Sequence, residues 1–207
     1  MYLKAALKKL YKDYPKLIEK KGERYIYKIS FFKRTKKMAY FWHMSEGADG
    51  ISNLYKNCFS NSELAKYFEK CKCYSKCATI MLFDNEEKND KPLKKMLNIL
   101  KFTSEELVEF KSNFYCQIRG IYKTLYLATV PKFNQSENVE IEDLFDDETL
   151  SIEIDGRKFS RKDENIEASY NKDIFSRYIF NNYTKINFDK FKPLLDYINN
   201  ICSTQNS

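Results

Sequence analysis

Glycine and proline are scarce, with five and four residues in a chain of 207. That scarcity excludes a collagen-like or Pro/Gly-rich low-complexity polymer. No stretch approaches the ~18 consecutive apolar residues of a membrane span, so no membrane partner is expected. The opening MYLKAALKKLYKDYPKL carries lysines every few residues and has no apolar h-region. It does not read as a secretory leader, and a cytoplasmic location is expected. There is one histidine, His43. A Ser–His or Cys–His hydrolase would need it as sole base, and no nucleophile-elbow motif accompanies it. P-loop, dinucleotide fingerprint and kinase motifs are all missing.

What is present suits a folded domain. Hydrophobic residues make up 43% and charged residues 31%, and 16 Tyr with 16 Phe supply the means for a sizeable core. The net charge of +7 is uneven. Residues 1–101 hold 23 Lys and Arg against 11 Asp and Glu, a net +12, while residues 102–207 hold 13 against 18, a net −5. A basic first half is compatible with phosphate contacts, and equally with a lysine-rich solvated face. Cys58, Cys71, Cys73 and Cys77 fall within twenty residues. Their spacing is not the paired-knuckle pattern of structural zinc, so buried or incidental thiols stand beside a zinc-stabilised alternative.

Apolar positions at three-to-four spacing predict a helix over 3–20, broken or ended at Pro15 and stopped at Gly22. Alternation in RYIYKISFFK predicts a strand over 24–33. A basic turn, Lys33-Arg34-Thr35-Lys36-Lys37, follows, then MAYFWHM, whose state is open. Helices are expected after SEGADG, over 61–70 with Asn61 or Ser62 as cap, over 92–101 opened by Pro92, and over 104–112. CATIMLF at 77–83 reads as a strand buried on both faces. Further strands are expected within 114–130, a hairpin turning at Gly156, and helices over 171–182 and 188–202. Strands alternating with helices imply an α/β domain, with the C-terminal helix pair as an appendage or a packing layer.

Asp84 and Glu86 leave the apolar strand together. A parallel strand delivers its carboxyl end to the rim where α/β ligands bind, and carboxylate oxygens suit Mg²⁺. The plainer alternative is a polar strand end entering a surface turn. The acidic block Glu140, Glu142, Asp143, Asp146, Asp147 and Glu148 offers a further metal ligand or a solvated helix face. Gly47 and Gly50 offer backbone for the close approach of a phosphate.

Several strings in order, YLKAALKKL at 2–10, ISFFKRTKK at 29–37, YFWHMSEGADGISNLY at 40–55, TIMLFDNE at 79–86, YLATVPK at 126–132, IEDLFDDETL at 141–150, and KDIFSRYI with INFDKFKPLLDYI, resemble the C-terminal Toprim-containing region of retron-type reverse transcriptases. The resemblance implies a Toprim-like, Rossmann-type parallel sheet flanked by helices over 1–135. An acidic segment, a small hairpin and a helical appendage follow over 136–207. It places Asp84 and Glu86 on the family's D-x-D, with Glu for the second Asp, as catalytic and Mg²⁺-binding residues. It implies that the family's first strand and its glutamate, and the polymerase, lie outside this sequence. Nucleic-acid contacts are expected from Lys33, Arg34, Lys36, Lys37, Gly47 and Gly50. The expected partners are DNA or RNA, a reverse transcriptase chain or retron RNA, in antiphage defence. The other reading is a non-catalytic nucleic-acid-binding or assembly module.

Overall fold

The computed structural model describes residues 1–45, 47–60, 62–72, 77–86, 88–120, 123–133, 138–161 and 169–204. The architecture is mixed α/β, with small sheets and short helices. In chain order the elements are α1 (Tyr2–Lys9), β1 (Ile18–Lys21), β2 (Arg24–Tyr27), α2 (Lys36–Phe41), α3 (Asp49–Leu54), a π-helical turn (Tyr55–Phe59), α4 (Glu63–Lys70), β3 (Thr79–Phe83) and β4 (Asn85–Glu86). There follow α5 (Pro92–Leu100), α6 (Ser104–Asn113), β5 (Tyr115–Gln117), β6 (Leu125–Thr129), β7 (Asn138–Val139), a 3-10 turn (Ile141–Leu144), α7 (Asp147–Leu150), β8 (Glu153–Ile154), β9 (Arg157–Phe159), β10 (Ser169–Tyr170), α8 (Lys172–Asn181), a second 3-10 turn (Asp189–Phe191) and α9 (Lys192–Thr204).

The chain divides into two compact units, residues 1–30 with 141–199, and residues 31–140 with 200–207. Both units are discontinuous in sequence, and α1 and the first hairpin belong to the same unit as α8. The reason is aromatic packing. Tyr2 of α1 meets the edge of Phe145 at 5.2 Å and Phe175 at 5.9 Å, and Phe159 stacks on Phe175 at 4.4 Å. Phe145, Phe175, Phe188 and Phe191 are fully buried there.

The helix expected over 3–20 ends at Lys9, and Ile18–Lys21 is instead a strand. It pairs antiparallel with β2 in the register Lys21↔Arg24, which leaves Gly22-Glu23 as a two-residue turn. Gly22 sits at φ +60, a region that hairpin turns demand and glycine supplies. Leu17 and Ile18 satisfy helical and strand spacing alike, and the turn decides between them. A second hairpin, β8 with β9, turns at Asp155-Gly156, both at positive φ, where the sequence places it.

The acidic block is largely absorbed into this first unit. Glu142 is 3% exposed and accepts from the Lys172 ammonium at 3.2 Å. Asp143 pairs with Arg161 at 2.5 Å. Asp146 caps α7 by accepting from the Thr149 N–H at 2.8 Å, which holds its carboxyl below the usual range. Lysines of the basic half are likewise engaged within the unit. Lys8 lies over the rings of Tyr183 at 4.2 Å and Phe180 at 4.7 Å.

The second unit is built on a three-stranded sheet in the order β3-β6-β5. β3 runs parallel to β6, from Thr79↔Leu125 to Phe83↔Thr129, and β5 is antiparallel to β6. The strand expected to be buried on both faces, β3, lies at the edge, with Met81 and Phe83 buried and its other residues half-buried. β6 takes the central place and is buried at each residue. In a sheet of three strands only one is internal, and the apolar run of β3 does not say which. Leu93 and Met96 of α5 and Phe110 of α6 close one core with Met81, Phe83, Leu125 and Leu127. Pro92 opens α5, and Thr103 and Glu106 form the capping box of α6.

Candidate functional site

Two features of the second unit bear on function: a basic and aromatic segment over 32–41, and a cleft at the carboxyl ends of β3 and β6. Thr35 starts α2, its hydroxyl accepting from the Met38 N–H at 3.2 Å. Lys33, Arg34, Lys36 and Lys37 are all exposed. Beside them Phe32, Tyr40 and Phe41 are 57%, 79% and 73% exposed, with the Tyr40 and Phe41 rings edge to face at 5.7 Å. The segment thus leaves three large aromatic side chains in water near four cations in sequence.

The chain after α2 is tied down. Arg34 donates from Nη2 to the Met44 carbonyl at 3.1 Å, Asn53 donates to the His43 carbonyl at 3.1 Å, and Asn57 donates to the Trp42 carbonyl at 2.7 Å. Gly50 belongs to this clamp. It is buried, its N–H donates to the Gly47 carbonyl at 3.2 Å, and a Cβ there would lie 2.5 Å from the Ser45 carbonyl oxygen. Gly50 thus serves a close backbone approach within the chain, while Gly47, exposed at φ +66, serves a turn.

The strand end after β3 has a defined geometry. Asn85 is buried and donates from Nδ2 to the Val130 carbonyl at 3.1 Å, while the Val130 N–H donates to the Phe83 carbonyl at 3.0 Å. These bonds tie the carboxyl ends of β3 and β6 together. Asn85 and Glu86 then pair with Val139 and Asn138 as β4 and β7. Glu86 accepts from the Lys91 ammonium at 2.7 Å, an interaction that holds the Lys91 amine above its usual range. Asp84 is half-buried at the bend between β3 and β4.

For the Mg²⁺ implied by the resemblance, one oxygen of Glu86 is already paired with the Lys91 ammonium at 2.7 Å, so a cation at that oxygen would have to displace it. Among the described residues no three His, Cys, Asp or Glu side chains are grouped to hold a metal ion. The cysteines of the zinc-stabilised alternative lie in different surroundings. Cys58 is buried and its thiol is pushed up by burial, Cys71 and Cys77 are exposed, and Cys73 lies outside the described residues.

The cleft has a volume of about 190 Å³ and is walled by Glu86, by Thr129 and Lys132 from the end of β6, and by one side each of α5 and α6. Open α/β sheets bind ligands at this end of their parallel strands. Sequence reasoning located Glu86 but missed Lys94, Lys111 and Lys132 on its walls, since α5, α6 and the segment after β6 meet only in the fold. The exposed aromatics had a local signal. Tyr40, Phe41 and Trp42 are consecutive, and one short helix cannot bury three successive side chains on a single face.

No protein-family model matches this chain, and no solved structure matches it.

Proposed function

We propose that this chain is a nucleic-acid-binding module that engages single-stranded DNA or RNA through residues 32–41. The observation that carries the reading is the joint exposure of Phe32, Tyr40 and Phe41 beside Lys33, Arg34, Lys36 and Lys37. Single strands are held by this combination. Cations track the phosphates and release counterions, and each unstacked base laid on an aromatic face adds about 1–3 kcal/mol. Duplex bases are already stacked and cannot use the rings in this way.

The reading agrees with the resemblance to the Toprim-containing region of retron-type reverse transcriptases, and the parallel pair β3–β6 is compatible with a Toprim-like sheet. In that setting the strand is retron RNA or its DNA copy, the partner is a reverse transcriptase chain, and the role lies in antiphage defence. Binding without cleavage is favoured over phosphodiester chemistry at Asp84 and Glu86 because Lys91 already neutralises Glu86.

The test is fluorescence anisotropy with a labelled 20-nucleotide DNA or RNA strand and the matching duplex. The single strand is expected to bind at least tenfold more tightly than the duplex, and Tyr40→Ala with Phe41→Ala to lose at least tenfold for the single strand. Equal affinity for duplex, or an unchanged affinity in the double variant, would sink the proposal.

A further inference from the structure

The first unit carries a cluster of lysines and tyrosines outside both features of the second. In the β1–β2 hairpin Lys20 stands opposite Tyr25, so both side chains leave the same face. The Lys20 ammonium lies 5.6 Å from the centre of the Tyr25 ring and 5.6 Å from that of Tyr11. Lys8, from α1, lies 5.4 Å from the same Tyr25 ring, 4.2 Å from Tyr183 and 4.7 Å from Phe180. Tyr25 meets Tyr11 and Tyr183 edge to face, at 5.6 and 6.1 Å. The rings hold two ammoniums in place, but a ring has no net charge with which to cancel theirs. Among the described residues neither lysine is in an ion pair, and the neighbouring Glu19 is engaged by Lys21 and Lys28 at 3.5 and 3.6 Å.

The hydroxyls add a donor. Tyr183 donates to the Tyr25 oxygen at 3.3 Å. Two phenols joined by one hydrogen bond keep a second hydroxyl hydrogen, and among the described residues Tyr25 has no acceptor for it. The bond to Tyr25 raises the Tyr183 hydroxyl above its usual range, while Lys8 and Lys20 both act on it in the opposite sense. Both cations therefore stand within electrostatic reach of the hydroxyl pair. Lys8, Tyr25 and Tyr183 are half-buried and Lys20 is exposed, so the cluster is open to solvent on one side.

We propose that Lys8, Lys20 and the Tyr25–Tyr183 hydroxyl pair bind the phosphate of a phosphate monoester, carried by a mononucleotide or by the end of a strand. A monoester has a charge of about −1.5 to −2 and three acceptor oxygens. Two ammoniums match that charge, and the spare phenol hydrogen serves the remaining oxygen. A diester has one charge and two such oxygens, and it fills the site only in part. The rings exclude water on one side, where charge attraction is stronger than in bulk water. They also hold the lysine side chains in the fold, so less ordering is left for the binding step. The site uses none of residues 32–41 and is independent of strand binding there.

The test uses the full chain and methyl phosphate as the probe, with dimethyl phosphate as the diester comparator, both followed by amide NMR at about pH 8, where the monoester holds nearly two charges. Methyl phosphate is expected to bind at least fivefold more tightly than dimethyl phosphate, with shifts at residues 8, 20, 25 and 183. Lys20→Gln is expected to weaken it at least fivefold. Tyr25→Phe, which keeps the ring beneath both lysines and removes one hydroxyl, is expected to weaken it about threefold. Lys21→Gln, one residue along on the other face of the hairpin, is expected to leave it unchanged. Adenosine monophosphate and a 5′-phosphorylated decanucleotide then tell the two carriers of the group apart, since the carrier that fits shifts the same four residues. Equal affinity for the diester, shifts confined to other residues, an unchanged affinity in Lys20→Gln, or an equal loss in Lys21→Gln would each overturn the proposal. The methyl phosphate titrations contain no oligonucleotide, so their failure and the failure of strand binding are read separately.

Discussion

The carboxylate of Glu86 and the ammonium of Lys91 lie 2.7 Å apart, with the Glu86 side chain 12% exposed and that of Lys91 35% exposed. The pair closes the turn between β4 and α5, and it decides how the acid at the strand end is used. Lys91→Met is expected to cost about 1–3 kcal/mol, because it strands a mostly buried carboxylate. Glu86→Gln should cost less, since the amide keeps an acceptor for Lys91. Urea midpoints of the two variants check this order. The same Lys91→Met is expected to raise the affinity for Mn²⁺, read by water-proton relaxation, because the competing cation is gone. The Lys91 amine is held above its usual range in the folded chain. The stability from this pair is therefore complete below about pH 10.4 and is lost as pH climbs through the raised value.

Gly50 and Gly47 separate two uses of glycine three residues apart. Gly50→Ala pushes a Cβ against the Ser45 carbonyl, a backbone atom that cannot swing aside. A loss of about 2–3 kcal/mol is expected, at the upper end for overpacking. Gly47→Ala meets nothing within 4 Å but keeps φ at +66, so a loss of about 1 kcal/mol is expected from the left-handed backbone alone. Denaturant midpoints that place Gly47→Ala as the costlier change would contradict the clamp on residues 42–45.

Single-strand binding through residues 32–41 carries a salt signature. Four cations on a single strand give a slope of log Kd against log salt of up to about 2.8, at about 0.7 for each phosphate met. Lys36→Gln with Lys37→Gln should lower it by about 1.4. Tyr40→Ala should weaken binding while leaving the slope unchanged, since the ring holds no counterion. Anisotropy titrations between 50 and about 300 mM salt measure both.

Cys116 predicts a specific alkaline weakness. Burial first, then the nearby Glu109 and Glu106 carboxylates, pushes its thiol from 9.0 up to about 12. The folded chain keeps a proton that the unfolded chain gives up, so stability falls as pH rises from about 9 towards 12. Tyr27 and Tyr170 are pushed by burial from 10.0 to about 12 and add to the fall above pH 10. In urea midpoints measured from pH 8 to about 10, Cys116→Ala should flatten the decline even though its midpoint at pH 8 is lower. An equal slope in the two proteins would place the titrating group elsewhere.

Much of the local structure was legible before any coordinates. Pro92 at the first turn of α5 and Ser62, one of the two caps expected for α4, each mark a boundary that the structure keeps. These signals are legible because the groups that satisfy one another lie within a few residues. The β8–β9 hairpin at Gly156 is of the same kind.

The sequence by itself determined the mixed α/β class, the starts of α4, α5 and α6, an apolar strand within 77–83 and the basic run at 33–37. Only the tertiary structure decided that Ile18–Lys21 is a strand, that β6 and not β3 is the inner strand, that α1 belongs with α8, and that three distant lysines share one cleft. Caps and turns are settled by neighbours along the chain, and propensity reads them. Strand order, partner choice and the walls of a cleft are settled by residues tens of positions apart, whose meeting depends on how buried area and backbone bonds are best satisfied across a whole unit.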